Sequence, residues 1–465
     1  MSSDLHYAGL LEVSERIRRR EVSAREVCQA LLDRIHRLDG GLNSFLRVLP
    51  ESALAEADQA DREIAAGQWR GPLHGVPIGL KDLLFTKGLP TSAGMAVHRD
   101  FRPDYDATAV TRLRRAGAVI IGKLHMTEGA TLDHHPDFPR PDNPWKAGRW
   151  TGVSSSGSGV APAAGFCYGA LGTDTGGSIR MPSAACGLSG IKPTWGRVSR
   201  HGLFPLAESF DHIGPLARSA ADAAAILRAI AGADADDPTA LPAPTPDYLA
   251  TIGAGIEGVV VGVDWDFATT GCAPAMVEAF RAALATLEAL GARTVPVTMP
   301  PAPVGEAMAA MTAEVVLAHQ ATFPARADDY GPSLRHMLED GARIPGPHVA
   351  QGVLARERYR GEMARIFAQV DLIATPTLPR GAPTWDEVAA LGDDMAALTA
   401  ALMPYTVPFN LTGSPTLSVP CGFDPDGLPL SLQLIGRHLQ EGLLCRAGHA
   451  YQQVTDFHTR RPNLD

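Results

Sequence analysis

The chain has 465 residues, 45% hydrophobic and 20% charged, with 47 glycines and 37 prolines, which excludes collagen, coiled coil and wholesale disorder and leaves a loop-rich globular protein. Its 41 basic and 51 acidic residues give a formal charge of −10, so a nucleic acid or an anionic membrane would be repelled overall. Six cysteines, Cys28, Cys167, Cys186, Cys272, Cys421 and Cys445, are spread along the chain with no CxxC pair; this usage fits free thiols in a reducing compartment, not a disulfide framework or a zinc ribbon.

The first 23 residues mix acidic and basic side chains among the apolar ones, so no signal-peptide core is present and the expected location is cytoplasmic. The Asn410-Leu411-Thr412 sequon then has no route to glycosylation. Ser23-Ala-Arg-Glu26 is a capping box, and Val27, Leu31, Leu32 and Ile35 recur at helical spacing until Gly40-Gly41, which should close the helix. Short β-branched runs at Val76 to Leu80 and Ala118 to Ile121 read as strands, with a helical pattern at Ala107 to Ala116 leading into the second.

Trp150 to Thr173 holds no charged residue over 24 positions, long enough to span a bilayer. Its first half is packed with Ser and Gly, so a buried segment is the better reading. Farther on, Val259 to Val263, a helix from about Ala275 to Leu290 and Arg293 to Val297 form a second strand–helix–strand unit, after a proline-rich surface loop at Gly232 to Pro246. Leu372 to Thr375, Leu417 to Val419 and Leu430 to Ile435 add further strands. Helical segments at about Ala307 to Gly341 and Gly346 to Ala368 are expected to cover a pocket.

The chemistry concentrates in Gly152-Val-Ser-Ser-Ser-Gly-Ser-Gly159 and Gly172-Thr-Asp-Thr-Gly-Gly-Ser-Ile-Arg180. Glycines around isolated hydroxyls let the backbone approach a reacting group and aim N–H donors at it, as an oxyanion hole requires. Competing motifs fail. Asp174-Thr-Gly176 has no second D-T-G to share a proton with, and Ser189-Gly-Ile-Lys192 matches S-x-x-K without its SDN or KTG partners. The GxGxxG at Gly253 to Gly258 precedes a strand instead of following one. Asp133-His-His-Pro-Asp137 reads as a loop, because adjacent histidines seldom face one metal. A serine nucleophile needs a base, and Lys81 at the end of an apolar strand is a candidate: buried, its amine would be neutral and could accept a proton. The alternative is a surface pair with Asp82.

These segments together resemble the amidase signature family of serine hydrolases. The resemblance rests on GVPIGLKD at 75–82, GKLHMTE at 122–128, NPW at 143–145, the Ser/Gly run at 152–158, GTDTGGSIRMPSAACGLSGIKPT at 172–194, TPT at 375–377, NLTGSPTLSVPCGF at 410–423 and LQLIG at 432–436. It implies an α/β fold with one large mixed, twisted β-sheet covered by helices on both faces, a single domain over residues 1–465 and a pocket-covering helical region at about 300–368.

By the same resemblance Ser178 matches the nucleophile, Ser154 the serine after a cis peptide and Lys81 the general base. Thr175, Gly176, Gly177 and Ser178 would line the oxyanion hole, and Ala130 would offer a carbonyl to the substrate. The family writes the serine run as GGSSGGS; here Val153 and Ser156 replace glycines, which puts the cis bond at Val153-Ser154. The implied reaction is hydrolysis of a linear carboxamide through an acyl-enzyme. Carbamate or aryl-amide hydrolysis, or service as the amidase component of a glutamine-dependent tRNA amidotransferase, are the alternatives. The implied partner is a small amide or carbamate, with no cofactor, metal, nucleic acid or membrane; a homodimer is allowed. Asp174 and Arg180 are expected to brace the loop, and Cys186 to pack.

Overall fold

Strand-forming runs of the sequence pair into one continuous sheet, seen in a computed structural model that describes residues 5–392 and 394–464. Its strands are β1 (Phe45–Val48), β2 (Pro77–Lys81), β3 (Val119–Leu124), β4 (Gly169–Asp174), β5 (Ser189–Lys192), β6 (His212–Ala217), β7 (Val260–Val263), β8 (Arg293–Pro296), β9 (Leu372–Pro376), β10 (Thr416–Phe423) and β11 (Pro429–Gly436). They lie in the order β1-β3-β2-β4-β6-β5-β10-β11-β9-β7-β8.

The sheet is mixed. β2 runs parallel to both β3 and β4, and β7 runs parallel to β8 and β9. Each parallel pair with a short sequence gap is joined by a helix, Thr108–Arg115 before β3 and Pro274–Ala289 between β7 and β8, as crossover geometry demands. Every residue of β2, β3, β4, β5, β6, β9 and β11 is buried, whereas the outermost strands β1 and β8 keep exposed positions. A strand with no exposed face must be covered on both sides, so helices pack on both faces of this α/β sheet.

The capping box forms as read: Ser23 accepts the Glu26 N–H and the Glu26 side chain returns to the Ser23 backbone. The helix ends later than the glycines suggest, running Ala24–Leu42 to a left-handed Asn43 at φ 51°. The segment expected as one helix over Ala307 to Gly341 is two helices, Val304–His319 and Pro332–Gly341. Pro324 and Pro332 deny the intervening stretch a continuous hydrogen-bond ladder. The segment expected over Gly346 to Ala368 is one helix, Gly346–Phe367, and none of its residues lines the two cavities described below. All of Trp150 to Thr173 is buried, and among the described residues no helix is long and apolar enough to cross a membrane.

Candidate active site

Because β2 and β4 are parallel and adjacent, their carboxyl ends open on the same side of the sheet, the usual place for a site in such a layer. Lys81 is the last residue of β2, and Thr173 and Asp174 end β4. Lys81 Nζ lies 2.7 Å from Ser154 Oγ and 2.8 Å from Thr173 Oγ1, all buried. Among the described residues no carboxylate comes within 4 Å of that amine. Burial pushes its pKa down to about 7, with more distant Asp211 and Asp174 opposing the shift.

The Lys81–Asp82 surface pair is not formed. Asp82, in the turn just after β2, instead accepts hydrogen bonds from Ser92 N and Oγ and sits 3.5 Å from Lys123 Nζ, both ionisable side chains fully buried.

Ser154 follows a cis Val153-Ser154 peptide and stands just before the helix Ser156–Ala163. Its two serine neighbours are engaged elsewhere. Ser155 Oγ donates to Thr173 O and accepts from Thr173 N, while Ser156 Oγ meets His134 Nε2 at 2.9 Å. His135 faces a different partner, the backbone N–H of Asp137. Gly152 adopts φ +76°, and a Cβ there would fall 2.4 Å from the Pro182 Cα, so a side chain is excluded on two counts.

Ser178 stands in the turn between β4 and the helix Arg180–Cys186. Among the described residues the N–H groups of Gly176, Gly177 and Ser178 donate to no protein acceptor, which leaves three donors free at the mouth of the turn. Gly177 has φ +137° and no room for a Cβ beside Thr406 Oγ1; that hydroxyl donates to Gly176 O.

Asp174 and Arg180 brace the turn as expected. Arg180 Nε and Nη2 donate to the two Asp174 oxygens at 2.9 Å each, and Asn410 Nδ2 donates to Asp174 Oδ1 at 2.8 Å. Arg180 Nη1 also reaches Thr406 O and Gln433 Oε1. Burial alone would raise the Asp174 pKa, but the Arg180 charge and these hydrogen bonds hold it well below the usual carboxylate range. Thr175 Oγ1 donates to Asp211, whose carboxyl also takes Leu206 N and Ala207 N and is pushed up to about 6 by burial. Cys186 is buried with its thiol against Thr151 O.

Ala130, Thr175, Gly176 and Ser178 share the wall of one inner cavity of about 70 Å³. Neither Lys81 nor Ser154 is among the residues lining that cavity, and among the described residues Ser178 Oγ has no hydrogen bond to Ser154. Ala130 takes a left-handed φ of 64°. Met308, Met337, Met395 and Leu132 are common to the inner cavity and an outer chamber of about 780 Å³, so the helices Val304–His319 and Pro332–Gly341 stand over both. Thr173, Asp211, Thr406, Asn410 and Gln433 were not singled out from the sequence. Each acts through a contact that only the folded chain creates; Thr173, Asn410 and Gln433 lie in the long motifs and Thr406 just before one, whereas Asp211 lies outside them all.

The amidase family profile matches residues 26–445. The chain belongs to the amidase family. It is 49% identical over 455 residues to "Putative amidase AmiD" of Mycobacterium tuberculosis, covering 97% of this chain and 95% of that one. It is 40% identical over 490 residues to a glutamyl-tRNA(Gln) amidotransferase subunit of Chloroflexus aggregans, covering 99% of each. Among solved structures it resembles the peptide amidase of Stenotrophomonas maltophilia, with 31% identity, a TM-score of 0.85 and 98% and 99% of the two chains aligned. This amidase is therefore a hydrolase of C–N bonds.

Proposed function

We propose that this amidase cleaves a linear carboxamide through an acyl-enzyme on Ser178, with Ser154 and Lys81 as the proton relay. The observation that carries the reading is the unpaired, buried Lys81 amine 2.7 Å from Ser154 Oγ, beside the turn that bears Ser178. With a pKa near 7, a large share of the amine is neutral at pH 7 and can take the Ser154 proton. Ser154 then takes the proton of Ser178 as Ser178 Oγ attacks the carbonyl carbon.

Negative charge developing on the carbonyl oxygen is met by the free N–H groups of Gly176, Gly177 and Ser178, with Thr175 held in place by Asp211. The proton returns along the same path to the departing nitrogen. Water, deprotonated by the same relay, releases the acid. Ala130, which lines the same cavity, would accept a hydrogen bond from the amide N–H through its carbonyl. No step calls for a cofactor or a metal. A reducing, cytoplasmic setting is part of this reading, and six unpaired cysteines support it.

The test is labelling with a fluorophosphonate followed by peptide mapping, with Ser178→Ala and Lys81→Arg as companions. Ser178 should carry the label, and Ser178→Ala should lose both label and turnover. Arginine keeps the charge but cannot deprotonate in this range, so Lys81→Arg should lower kcat by about 10²- to 10⁴-fold. Wild-type activity should rise with pH through about 7 as the Lys81 amine loses its proton. A fully active Lys81→Arg variant would remove lysine from the mechanism.

The relationship to a tRNA amidotransferase component favours a second reading, in which the same chemistry acts on glutamine inside a complex. Turnover of simple amides by the isolated chain argues against it; turnover that appears only with partner proteins argues for it.

A further inference from the structure

Resting on the hydrolase reading above, we infer that the cavity beside Ser178 selects amides whose group next to the scissile carbonyl is uncharged and apolar, and that it rejects glutamine. Among the described residues no charged side chain lines the inner cavity. Its lining includes six methionines, at 181, 308, 311, 337, 395 and 403, half of the 12 in the chain. Methionine is flexible and polarisable, so such a wall adapts to branched alkyl or aryl groups and offers nothing to a charge.

Several ionic groups beside this wall are already engaged. Arg180 is locked onto Asp174 and Gln433. Arg356, stacked 4.1 Å from the Phe210 ring that forms part of the cavity, gives Nε to Leu411 O and its two terminal nitrogens to Ser209 Oγ and O. Asp211 is filled by Thr175 and two backbone N–H groups. Glu128, in the outer chamber, takes the Gly331 N–H on both oxygens.

A glutamine bound with its side-chain carbonyl at Ser178 carries an ammonium and a carboxylate only a few bonds away. Both would face the thioethers of the inner cavity, where among the described residues no counter-charge lines the wall, and an uncompensated buried charge is strongly disfavoured. In the outer chamber, where Asp133, Arg140, His336 and Asp340 stand, charge is tolerated; a longer substrate can carry its polar end there. Val153, which replaces a family glycine, adds its apolar side chain to that chamber beside Trp150, extending the apolar surface outward.

The experiment measures kcat/KM of the purified chain for hexanamide, benzamide and L-glutamine, alongside fluorophosphonate labelling of Ser178. The expected result is labelling of Ser178 and a preference for hexanamide or benzamide over glutamine of about 100-fold or more, the equivalent of one badly paired charge. Met311→Lys, which puts an ammonium into the cavity, should narrow that preference at least tenfold while the label on Ser178 persists. Glutamine turned over within tenfold of both neutral amides, with Ser178 labelled, overturns the inference and leaves the hydrolase reading standing. Labelled Ser178 with no turnover of any of the three also overturns it. Absence of both label and turnover overturns the hydrolase reading itself.

Discussion

Two buried lysines on neighbouring strands meet different fates. Lys123 faces Asp82 at 3.5 Å and donates to Leu84 O, whereas Lys81 has only two hydroxyls. That difference fits one to an ion pair and the other to the role of a base. It also has a thermodynamic signature. An unfolded lysine titrates near 10.5 and the folded Lys81 near 7, so above pH 10.5 both states are neutral and the residue costs nothing. As pH falls from 10.5 to 7 the unfolded chain takes up a proton that the folded chain refuses, and the cost grows to roughly 5 kcal/mol below pH 7. Lys81→Met, similar in shape and uncharged, should therefore be inactive yet melt higher than wild type, and the gap should be wider at pH 6 than at pH 9.5. Thermal denaturation at the two pH values checks this; a gap independent of pH would mean that Lys81 is not depressed. Lys81, Ser154 and Ser178 stand out in the sequence as candidates because long motifs surround them. The Lys81–Asp82 alternative arose because sequence adjacency says nothing about which partners each side chain faces in the fold.

At the scale of elements, the strands read most reliably, since apolar β-branched runs between turn residues have few other stable uses. Helix ends were harder. Gly40 and Gly41 are signals for a stop, but the helix continues to Asn43, because Asp39 accepts hydrogen bonds from Ser44 and Phe45 and fixes the exit one turn later. The turn from Thr175 to Ile179 was recognisable as chemistry, though its support was not: Arg180 reaches Thr406, Asn410 and Gln433, more than 200 residues away. Arg180→Ala would leave Asp174 buried and unpaired at the base of this turn. We expect a loss of about 3–5 kcal/mol in urea unfolding and a fall in kcat larger than any rise in KM, since the free N–H groups would no longer be held in register. Unchanged stability would show that Asp174 finds another partner.

Across the whole molecule the strand order divides cleanly. β1 to β6 form one side of the sheet and β7 to β11 the other, and the two sides meet only where β5 pairs with β10. Lys81, Ser154 and Ser178 all lie in the first part, yet the turn that holds Ser178 is anchored by the second. Helix Glu441–Gln453 adds to the join, with Gln452 bonded to Ala220 N and Ser189 Oγ. A protease site inserted between the exposed Gly253 and Ala254 should, after cutting, give two fragments that elute together and keep turnover; fragments that separate without denaturant would refute this account of the join. No local pattern in the sequence reveals such a division, because strand pairing across the seam depends on residues far apart in the chain. The same seam has a consequence during synthesis on the ribosome. β6 is finished at Ala217, but β10 begins at Thr416, so β5 waits as a bare sheet edge while roughly 200 further residues are made, about 10–40 s at ~5–20 residues per second. Over that interval the nascent chain offers an open template for strand addition, which makes the first half, with every candidate catalytic side chain already in it, a natural client for ribosome-associated chaperones.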